Sequence, residues 1–307
     1  MAQTQLYDAF GLTIASEIPL NELRPAAVGA VADLQFVNRR LDRDLPTEEQ
    51  GVRMDYDDPD GVFMAWPGVA AFLLVDENTV WVEKYEEAPE SFVAFPILGP
   101  VMAWMLNWRG LFVLHASAIN VNGRTVALMG DKLAGKSTTA AAFLRAGFDL
   151  VTDDLLAIDI APDGSARCLP AFPQLKLDKN ASAKVQVEGA QELPLVFEGF
   201  TKHQHKLTGM ETNPVGIDYL CTLERGGAQP GFTQFDVPQA IEAVSRYSYL
   251  PRFGHAPWTK QDRARHFRNC VKLSRIARVG SLHIPDDLDR LDETVRFVVE
   301  MLESDAG

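Results

Sequence analysis

The sequence predicts an α/β protein in two parts, a small β-rich N-terminal domain at residues 1–90 and a larger domain at residues 91–307. Short apolar stretches separated by turn residues fill the first part, as where "DDPDG" at 57–61 lies between "VRMDY" and "VFMAW". Such stretches are typical of hairpins, and no helical period interrupts them. From about Asn120 the pattern changes to strand-length apolar runs that alternate with helical ones, which is typical of α/β folds.

The second part contains three elements that the sequence predicts in order. "RTVALM" at 124–129 is an apolar run of strand length that opens into a glycine-rich loop, and "STTAAAFLRAG" at 137–147 predicts a helix that ends at its glycine. "FDLVT" at 148–152 predicts a second strand. The remainder is expected to be mainly helical, with a last amphipathic helix at 288–304, where apolar residues recur every three or four positions.

The charge of the chain limits its partners. A formal net charge of -13 argues against a general nucleic-acid binder or an anionic-membrane binder, because both need a basic surface. The charge is uneven: 14 acidic and three basic residues lie between Leu41 and Glu90, whereas eight basic residues and one acidic residue lie between Arg252 and Arg278. Solvated faces are the usual explanation of such stretches, and the alternative for the second is a surface that binds an acidic partner.

Neither cysteine spacing nor apolar segments indicate a zinc site or a membrane anchor. The three cysteines lie far apart in the sequence, and the N-terminus lacks a basic stretch followed by an apolar one, so the cytoplasm is the expected compartment. "FVAFPILGPVMAWMLNW" at 92–108 is short for a membrane span and contains Pro96 and Pro100. We therefore expect a buried helix leading into the catalytic core, with no membrane partner.

The glycine-rich loop matches the pattern G-x-x-x-x-G-K-[ST] and lies between a predicted strand and a predicted helix, the context in which this motif binds phosphates. Its backbone N–H groups and the following helix N-terminus would surround a polyphosphate. Lys136 would reach the terminal phosphates, and the Ser137 hydroxyl would ligate magnesium. The residues expected to contact the nucleotide are Gly130, Asp131, Lys132, Leu133, Ala134, Gly135, Lys136, Ser137 and Thr138.

Two adjacent aspartates, Asp153 and Asp154, follow the second predicted strand. Paired aspartates also form turns at strand ends, which is the structural alternative. In a protein that binds a nucleotide and magnesium, one carboxylate from a neighbouring strand end is needed for the metal. The second would then accept a proton from an attacking hydroxyl, as a kinase requires.

One histidine precedes the loop, His115 in the apolar stretch "LFVLHASAI" at 111–119. A lone histidine on an apolar strand is usually a core residue, so the residue alone does not establish a functional role.

His115, "GDKLAGKST" and "RAGFDLVTDD", in this order and spacing, resemble HPr kinase/phosphorylase and, more closely, the related serine kinases of lasso-peptide and other peptide-modification clusters. The resemblance is strongest at 114–160. It implies the phosphoenolpyruvate-carboxykinase-like variant of the phosphate-loop fold, ATP and Mg²⁺ as cofactors, and a serine hydroxyl on a peptide or small protein as acceptor. It also implies that Asp153 and Ser137 hold the metal, that Asp154 is the general base, and that His115 and Lys136 are catalytic, although the two aspartates could exchange roles. Because members of the family form oligomers, the resemblance allows a homo-oligomer.

Two departures from the family pattern narrow the expected activity. Thr138 occupies the position where the HPr enzymes have a glutamate, and the Arg-Gly-Leu-Gly type signature of the phosphorylase reaction is missing from the sequence. HPr is therefore not the expected acceptor, and reverse dephosphorylation is not expected.

Two further functions are consistent with the same residues. A small-molecule kinase would use the same site with a compact pocket in place of an open groove. A regulatory module would bind nucleotide without transferring phosphate, and its second aspartate would be a turn residue. The peptide kinase remains the leading hypothesis, with the basic stretch at 252–278 predicted to help hold the acceptor.

Overall fold

The computed structural model describes residues 3–185, 187, 189–193, 202–253 and 258–305, with the side chains of Lys202, Arg252 and Phe253 excluded. The described residues form two compact units. The first comprises residues up to Leu111 together with 250–253 and 258, and the second comprises the other described residues from Phe112 onward.

One mixed sheet dominates the first unit. Its strand order is β3-β1-β2-β4-β8-β7-β6-β5, in which β2, β4 and β8 run parallel and the remaining neighbours antiparallel. The strands are β1 (Gln5–Ala9), β2 (Leu12–Ser16), β3 (Arg24–Pro25), β4 (Leu34–Asn38), β5 (Arg53–Asp55), β6 (Val62–Trp66), β7 (Ala70–Asp76) and β8 (Thr79–Lys84). The predicted hairpin β5–β6 is confirmed, and β7 and β8 form a second antiparallel hairpin.

Two apolar helices close the first unit, α1 (Glu90–Pro96) and α2 (Met102–Trp108), joined by a π-helical turn at Ile97–Val101. By length and composition alone, the segment Glu90–Trp108 is long and apolar enough to cross a membrane, but most of it is buried inside the protein. The sequence analysis placed this segment in the second domain. In the structure it belongs to the first unit, where the Trp104 ring stacks on Tyr56 with centroids 4.8 Å apart.

The second unit contains the predicted strand–loop–helix element and three sheets. Its strands are β9 (Phe112–Leu114), β10 (Ala116–Val121), β11 (Arg124–Met129), β12 (Asp149–Thr152), β13 (Leu156–Ile160), β14 (Ala166–Leu169), β15 (Gln174–Asp178), β16 (Gln191–Glu192), β17 (Lys202–Lys206), β18 (Val215–Gly216), β19 (Tyr219–Arg225), β20 (Gly231–Gln234) and β21 (Arg278–Ile284). Its helices are α3 (Lys136–Arg145), α4 (Lys179–Lys184), α5 (Val237–Arg246), α6 (Lys260–Ile276) and α7 (Leu291–Ser304).

A six-stranded sheet in the order β12-β10-β11-β19-β21-β20 forms the centre of the second unit. Its strands β11, β19 and β21 are parallel, so their carboxyl ends meet at one edge. A four-stranded sheet has the order β18-β14-β13-β9, and a three-stranded sheet has the order β15-β17-β16. In open α/β sheets, ligands bind outside the carboxyl ends of parallel strands, so a ligand site is expected at the edge where β11 ends.

Helices cover both faces of the six-stranded sheet. Val126 and Leu128 of β11 pack in one buried cluster with residues of α3 and α7, whereas Ala127 and Met129 pack in another with residues of α5 and α6. This alternation follows from the two-residue period of a strand. Because both faces are buried, β11 is apolar along almost its whole length, as parallel strands usually are.

The C-terminal helix is confirmed. Residues 288–290 form a short 3₁₀ turn, and α7 then places its apolar positions inward, with Leu291, Val295, Val298 and Leu302 all buried. The strands β20 and β21 were not predicted, because the sequence indicated a mainly helical C-terminal part. Gly280 explains their close packing, since a Cβ there would lie 2.4 Å from the Thr233 carbonyl oxygen.

Candidate functional site

The chain crosses between two sheets twice, and the two crossings lie next to each other. The chain passes from β9 in the four-stranded sheet to β10 in the six-stranded sheet at His115, and from β12 back to β13 through Asp153, Asp154 and Leu155. β10 pairs with β12 and β9 pairs with β13, so the two breaks face each other. The predicted strand at 111–119 is thus two strands, and the break between them brings the histidine next to the aspartates.

Asp153 is a buried carboxylate that several donors hold. Its Oδ1 accepts hydrogen bonds from the Ser117 hydroxyl at 2.6 Å and from the Ser137 hydroxyl at 3.0 Å. Its Oδ2 accepts from the main-chain N–H of Lys176 at 3.0 Å. The residue is only 7% exposed, so these bonds replace water as its solvation.

Asp154 lies beside it in a more open position and has two cationic or potentially cationic neighbours. Its Oδ1 is 3.4 Å from the His115 Nε2, and its Oδ2 is 3.1 Å from the Lys176 ammonium. The backbone of Asp154 has φ 74°, in the left-handed region that aspartate tolerates better than most residues. Its side chain is 32% exposed, so a substrate hydroxyl could reach this carboxylate.

His115 is fixed by the backbone as well as by its ring. Its N–H donates to the carbonyl oxygen of Tyr247 at 2.8 Å, and its ring meets the ring of Tyr249 edge-on with centroids 6.1 Å apart. The residue is 9% exposed. The structure places His115 beside Asp154, while its catalytic role stays a prediction.

The glycine loop joins the end of β11 to the start of α3, as the sequence predicts. Gly135 precedes the helix with φ 99°, a left-handed conformation that glycine adopts without strain. At Gly130, a Cβ would lie 2.7 Å from the Cβ of Ala134, so a side chain at this position would push the loop apart. α3 begins directly after this loop, so the helix N-terminus adjoins the loop, which is the arrangement that binds phosphate.

Lys136 folds back over this loop. Its Nζ donates to the carbonyl oxygens of Gly130 at 2.8 Å and Asp131 at 3.2 Å. The Asp131 carboxylate forms an ion pair with Arg246 at the end of α5, at 2.8 Å. The remaining predicted contact residues Lys132, Leu133, Ala134 and Thr138 lie in the same loop or in the first turn of α3. Thus, all the nucleotide-contact residues that the sequence predicts lie at one end of β11.

A cleft of about 430 Å³ adjoins the loop and the first turn of α3. Cations from four elements line it, namely Lys136, Lys176, Lys184 and Arg225, and Leu133, Ile284, Pro285 and Leu288 give it an apolar part. Asp178, Asp286 and Asp287 line the cleft as well, and Lys184 and Arg225 form ion pairs with Asp289 and Asp286. The volume is in the range of small-molecule sites, and the lysines next to the glycine loop suit a phosphorylated ligand.

Two residues of the site were not predicted from sequence. Ser117, which follows His115 by two positions, donates to Asp153, and Lys176 contacts both aspartates. Spacing along one strand did not mark Ser117, because the chain changes sheets at His115 and only Ser117 lies on β10. Nothing local marked Lys176, which reaches the site through the pairing of β15 with β17.

The oxygen ligands present fit a magnesium ion. Within the described ranges, no group of three or more His, Cys, Asp or Glu side chains is arranged to hold a metal. Magnesium does not need such a group, since it usually binds one or two protein oxygens and completes its shell with phosphates and water. Ser137 Oγ and Asp153 Oδ1, 3.0 Å apart beside the loop, are hard oxygen ligands of the right kind.

Fold and site together define an α/β protein with a strand–glycine-loop–helix element and an adjacent pair of carboxylates. Among solved structures, the chain is similar to the HPr(Ser) kinase/phosphatase from Coxiella burnetii, with 13% sequence identity and a TM-score of 0.31 over 63% of this chain and 94% of that chain. No protein-family model and no curated protein matches the sequence. A similarity this distant leaves the function to be inferred from the geometry of the site.

Proposed function

We propose that this chain is an ATP- and Mg²⁺-dependent kinase that phosphorylates a serine hydroxyl of a peptide or small protein. The observation that carries the proposal is that two adjacent carboxylates have different surroundings. Asp153 is buried and bonded to Ser137 of the glycine loop, whereas Asp154 is partly exposed next to it and contacts His115 and Lys176. A protein that only binds nucleotide needs the first carboxylate and has no use for the second.

Each group of residues has its own role in the proposed reaction. Backbone N–H groups of the loop and Lys136 bind the phosphates, and Ser137 and Asp153 hold magnesium, which when bound neutralises charge on the phosphates. Asp154 accepts the proton of the acceptor serine's hydroxyl, while the hydroxyl oxygen of that serine forms a bond to the terminal phosphorus. The bond from that phosphorus to the bridging oxygen breaks, so ADP leaves and phosphoserine is formed.

The acceptor is proposed to be a peptide because of the basic helix α6. This helix carries Arg265, Arg268 and Arg275 in the predicted basic stretch; residues 254–257 of that stretch, and the Arg252 side chain, lie outside the described residues. His266 of α6 bonds through Nε2 to the Ser248 hydroxyl at 2.8 Å, one residue from the carbonyl that receives the His115 N–H. α6 is therefore linked to His115 through the neighbouring residues Tyr247 and Ser248.

The test is transfer of label from terminally labelled ATP, with Mg²⁺, into a size-fractionated extract of the source cell. Wild type should label a defined peptide or small protein, and Lys136→Ala should not. Asp154→Asn should bind a fluorescent ATP analogue as wild type does and lose about 10²- to 10⁴-fold in transfer rate, the usual contribution of a general base. Asp159→Asn on β13, an exposed aspartate outside the site, serves as the matched control.

The alternatives have distinct outcomes. Label only in small metabolites would replace the peptide kinase by a small-molecule kinase. Nucleotide binding without any transfer by the wild type would contradict phosphotransfer and leave a regulatory module. Equal transfer by the Asp154→Asn and Asp159→Asn variants would contradict the role of Asp154.

A further inference from the structure

Lys176 is a partly buried lysine that contacts both aspartates. It lies on β15 between Leu175 and Leu177, which are both in the hydrophobic core. Because side chains alternate along a strand, the lysine points to the other face, toward the aspartates. Its side chain is 12% exposed, although lysines are almost never buried without a partner. A cation in this position therefore needs a structural or functional reason.

Both functional groups of Lys176 engage the carboxylate pair. The main-chain N–H donates to Asp153 Oδ2 at 3.0 Å, and the side-chain ammonium lies 3.1 Å from Asp154 Oδ2. The contacts separate cleanly between backbone and side chain, so a substitution at this position removes only the second one. The two aspartates thus depend on one residue through two independent bonds.

We propose that Lys176 is the positioning residue of this carboxylate pair, and that its ammonium orients Asp154 to receive the acceptor proton. The proposal rests on the kinase function inferred above. His115 contacts one oxygen of Asp154 and Lys176 contacts the other, so rotation of the carboxylate about its last bond is restricted from both sides. The positive charge also offsets the repulsion between two adjacent carboxylates. Both effects prepare the geometry before the acceptor arrives.

The competing role for Lys176 is direct contact with the transferred phosphoryl group, because Lys176 also lines the cleft beside Lys136. An ammonium that touches the transferred phosphoryl group would stabilise the transition state directly and would not need Asp154. The two roles predict different behaviour in a double variant. A residue that acts through Asp154 has nothing left to position when Asp154 is already removed, whereas a direct phosphate contact keeps its value.

The experiment compares Lys176→Met, Lys176→Arg, Asp154→Asn and the double variant Lys176→Met/Asp154→Asn with wild type, using Mg²⁺, ATP and the acceptor identified by labelling. We expect Lys176→Met to lower kcat about 10- to 100-fold, with the KM for acceptor and the affinity for a fluorescent ATP analogue within about twofold. Lys176→Arg should recover most of this loss, because a cation remains. In the Asp154→Asn background, Lys176→Met should cause no further loss beyond about twofold.

Lys179→Met is the matched control, since Lys179 is an exposed lysine three positions further along, at the start of α4. Its kcat should equal that of wild type, and melting temperatures of all variants identify any that fail to fold. Losses that multiply in the double variant, or a Lys176→Met kcat equal to that of Lys179→Met, would overturn the positioning role while leaving the kinase intact. Absence of transfer by the wild type would overturn the kinase function, and with it this role.

Discussion

At the scale of single residues, Ser117 is the unexpected part of the site. Its hydroxyl donates to Asp153 at 2.6 Å from a position that is completely buried. A short bond to a carboxylate is one of the stronger hydrogen bonds in proteins, and it holds Asp153 in the orientation that also meets Ser137. The serine is therefore expected to orient Asp153, the proposed magnesium ligand, without being a ligand itself.

Substitution of Ser117 by alanine should raise the magnesium concentration needed for half-maximal nucleotide binding by about 3- to 30-fold. Removing one donor to a charged group costs about 1–2 kcal/mol, and Asp153 then loses part of its orientation. A magnesium titration with a fluorescent ATP analogue measures this change. Ser281→Ala is the control, because Ser281 is also buried and its hydroxyl has no hydrogen-bond partner in the described part of the chain. An unchanged magnesium midpoint in Ser117→Ala would contradict the role.

At the scale of elements, α6 combines a packed face with a basic one. Cys270 and Leu273 are buried, whereas Arg268 and Phe267 are exposed, and Thr259 with Asp262 forms a capping box at its start. The exposed face has cations and an aromatic ring together, which suits an acidic peptide that also carries apolar residues.

Reversal of two charges on α6, Arg265→Glu with Arg268→Glu, should raise the KM for the peptide acceptor about 10-fold without changing ATP affinity. Like charges on helix and acceptor would then repel, and the difference from wild type should shrink at high salt because the charges are solvent-exposed. Steady-state kinetics at two ionic strengths measures both effects. Arg296→Glu on α7, an exposed arginine outside the basic stretch, is the control. An unchanged acceptor KM would contradict the proposed surface.

Local patterns were sufficient to predict the elements whose signals lie within a single stretch of chain. β11, α3 and α7 are of this kind: β11 and α3 each adjoin a glycine, and α7 has apolar residues at steps of three and four. β21 was missed because "RVGSLHI" follows a long charged helix and contains Gly280 and Ser281, which weaken a strand pattern. It becomes a strand through tertiary pairing with β19 on one side and β20 on the other.

The same distinction applies to the site. The loop residues were predicted from the motif, and the two aspartates from their position at the end of the next predicted strand. The contacts of Asp154 with His115 and Lys176 were not predictable by spacing, because they depend on where two strands change sheets and on the pairing of β15. Sequence patterns report neighbours along the chain, whereas this site is made of neighbours across sheets.

At the scale of the whole molecule, the partly buried His266 links folding to pH. Its ring stacks on Phe112 with centroids 5.4 Å apart, and burial lowers its pKa to about 4. In the unfolded chain the pKa is about 6.5. Between these values the unfolded state binds a proton that the folded state excludes, so stability falls as pH decreases from about 6.5 to about 4 and this contribution then levels off.

The expected size of this effect is about 2 kcal/mol, reduced from the full pKa difference because the side chain is only partly buried. Urea unfolding at several pH values between 4 and 7.5 measures it. His266→Gln removes the titrating ring, so the free energy of unfolding of the variant should change less over this interval than that of wild type. Parallel pH curves for the two proteins would contradict the assignment.

The chain changes sheets at His115 and again at residues 153–155, and this has a consequence for the order in which parts of the protein fold. The partners of the site extend from His115 through Lys176 to Tyr247, and none of them meets another by local helix or hairpin formation alone. Contacts between distant parts of a chain form late, since loop closure costs entropy that only later contacts repay. We therefore expect refolding experiments to recover helical signal before the proposed nucleotide binding, with the region around His115 and Asp154 among the last to gain protection from hydrogen exchange.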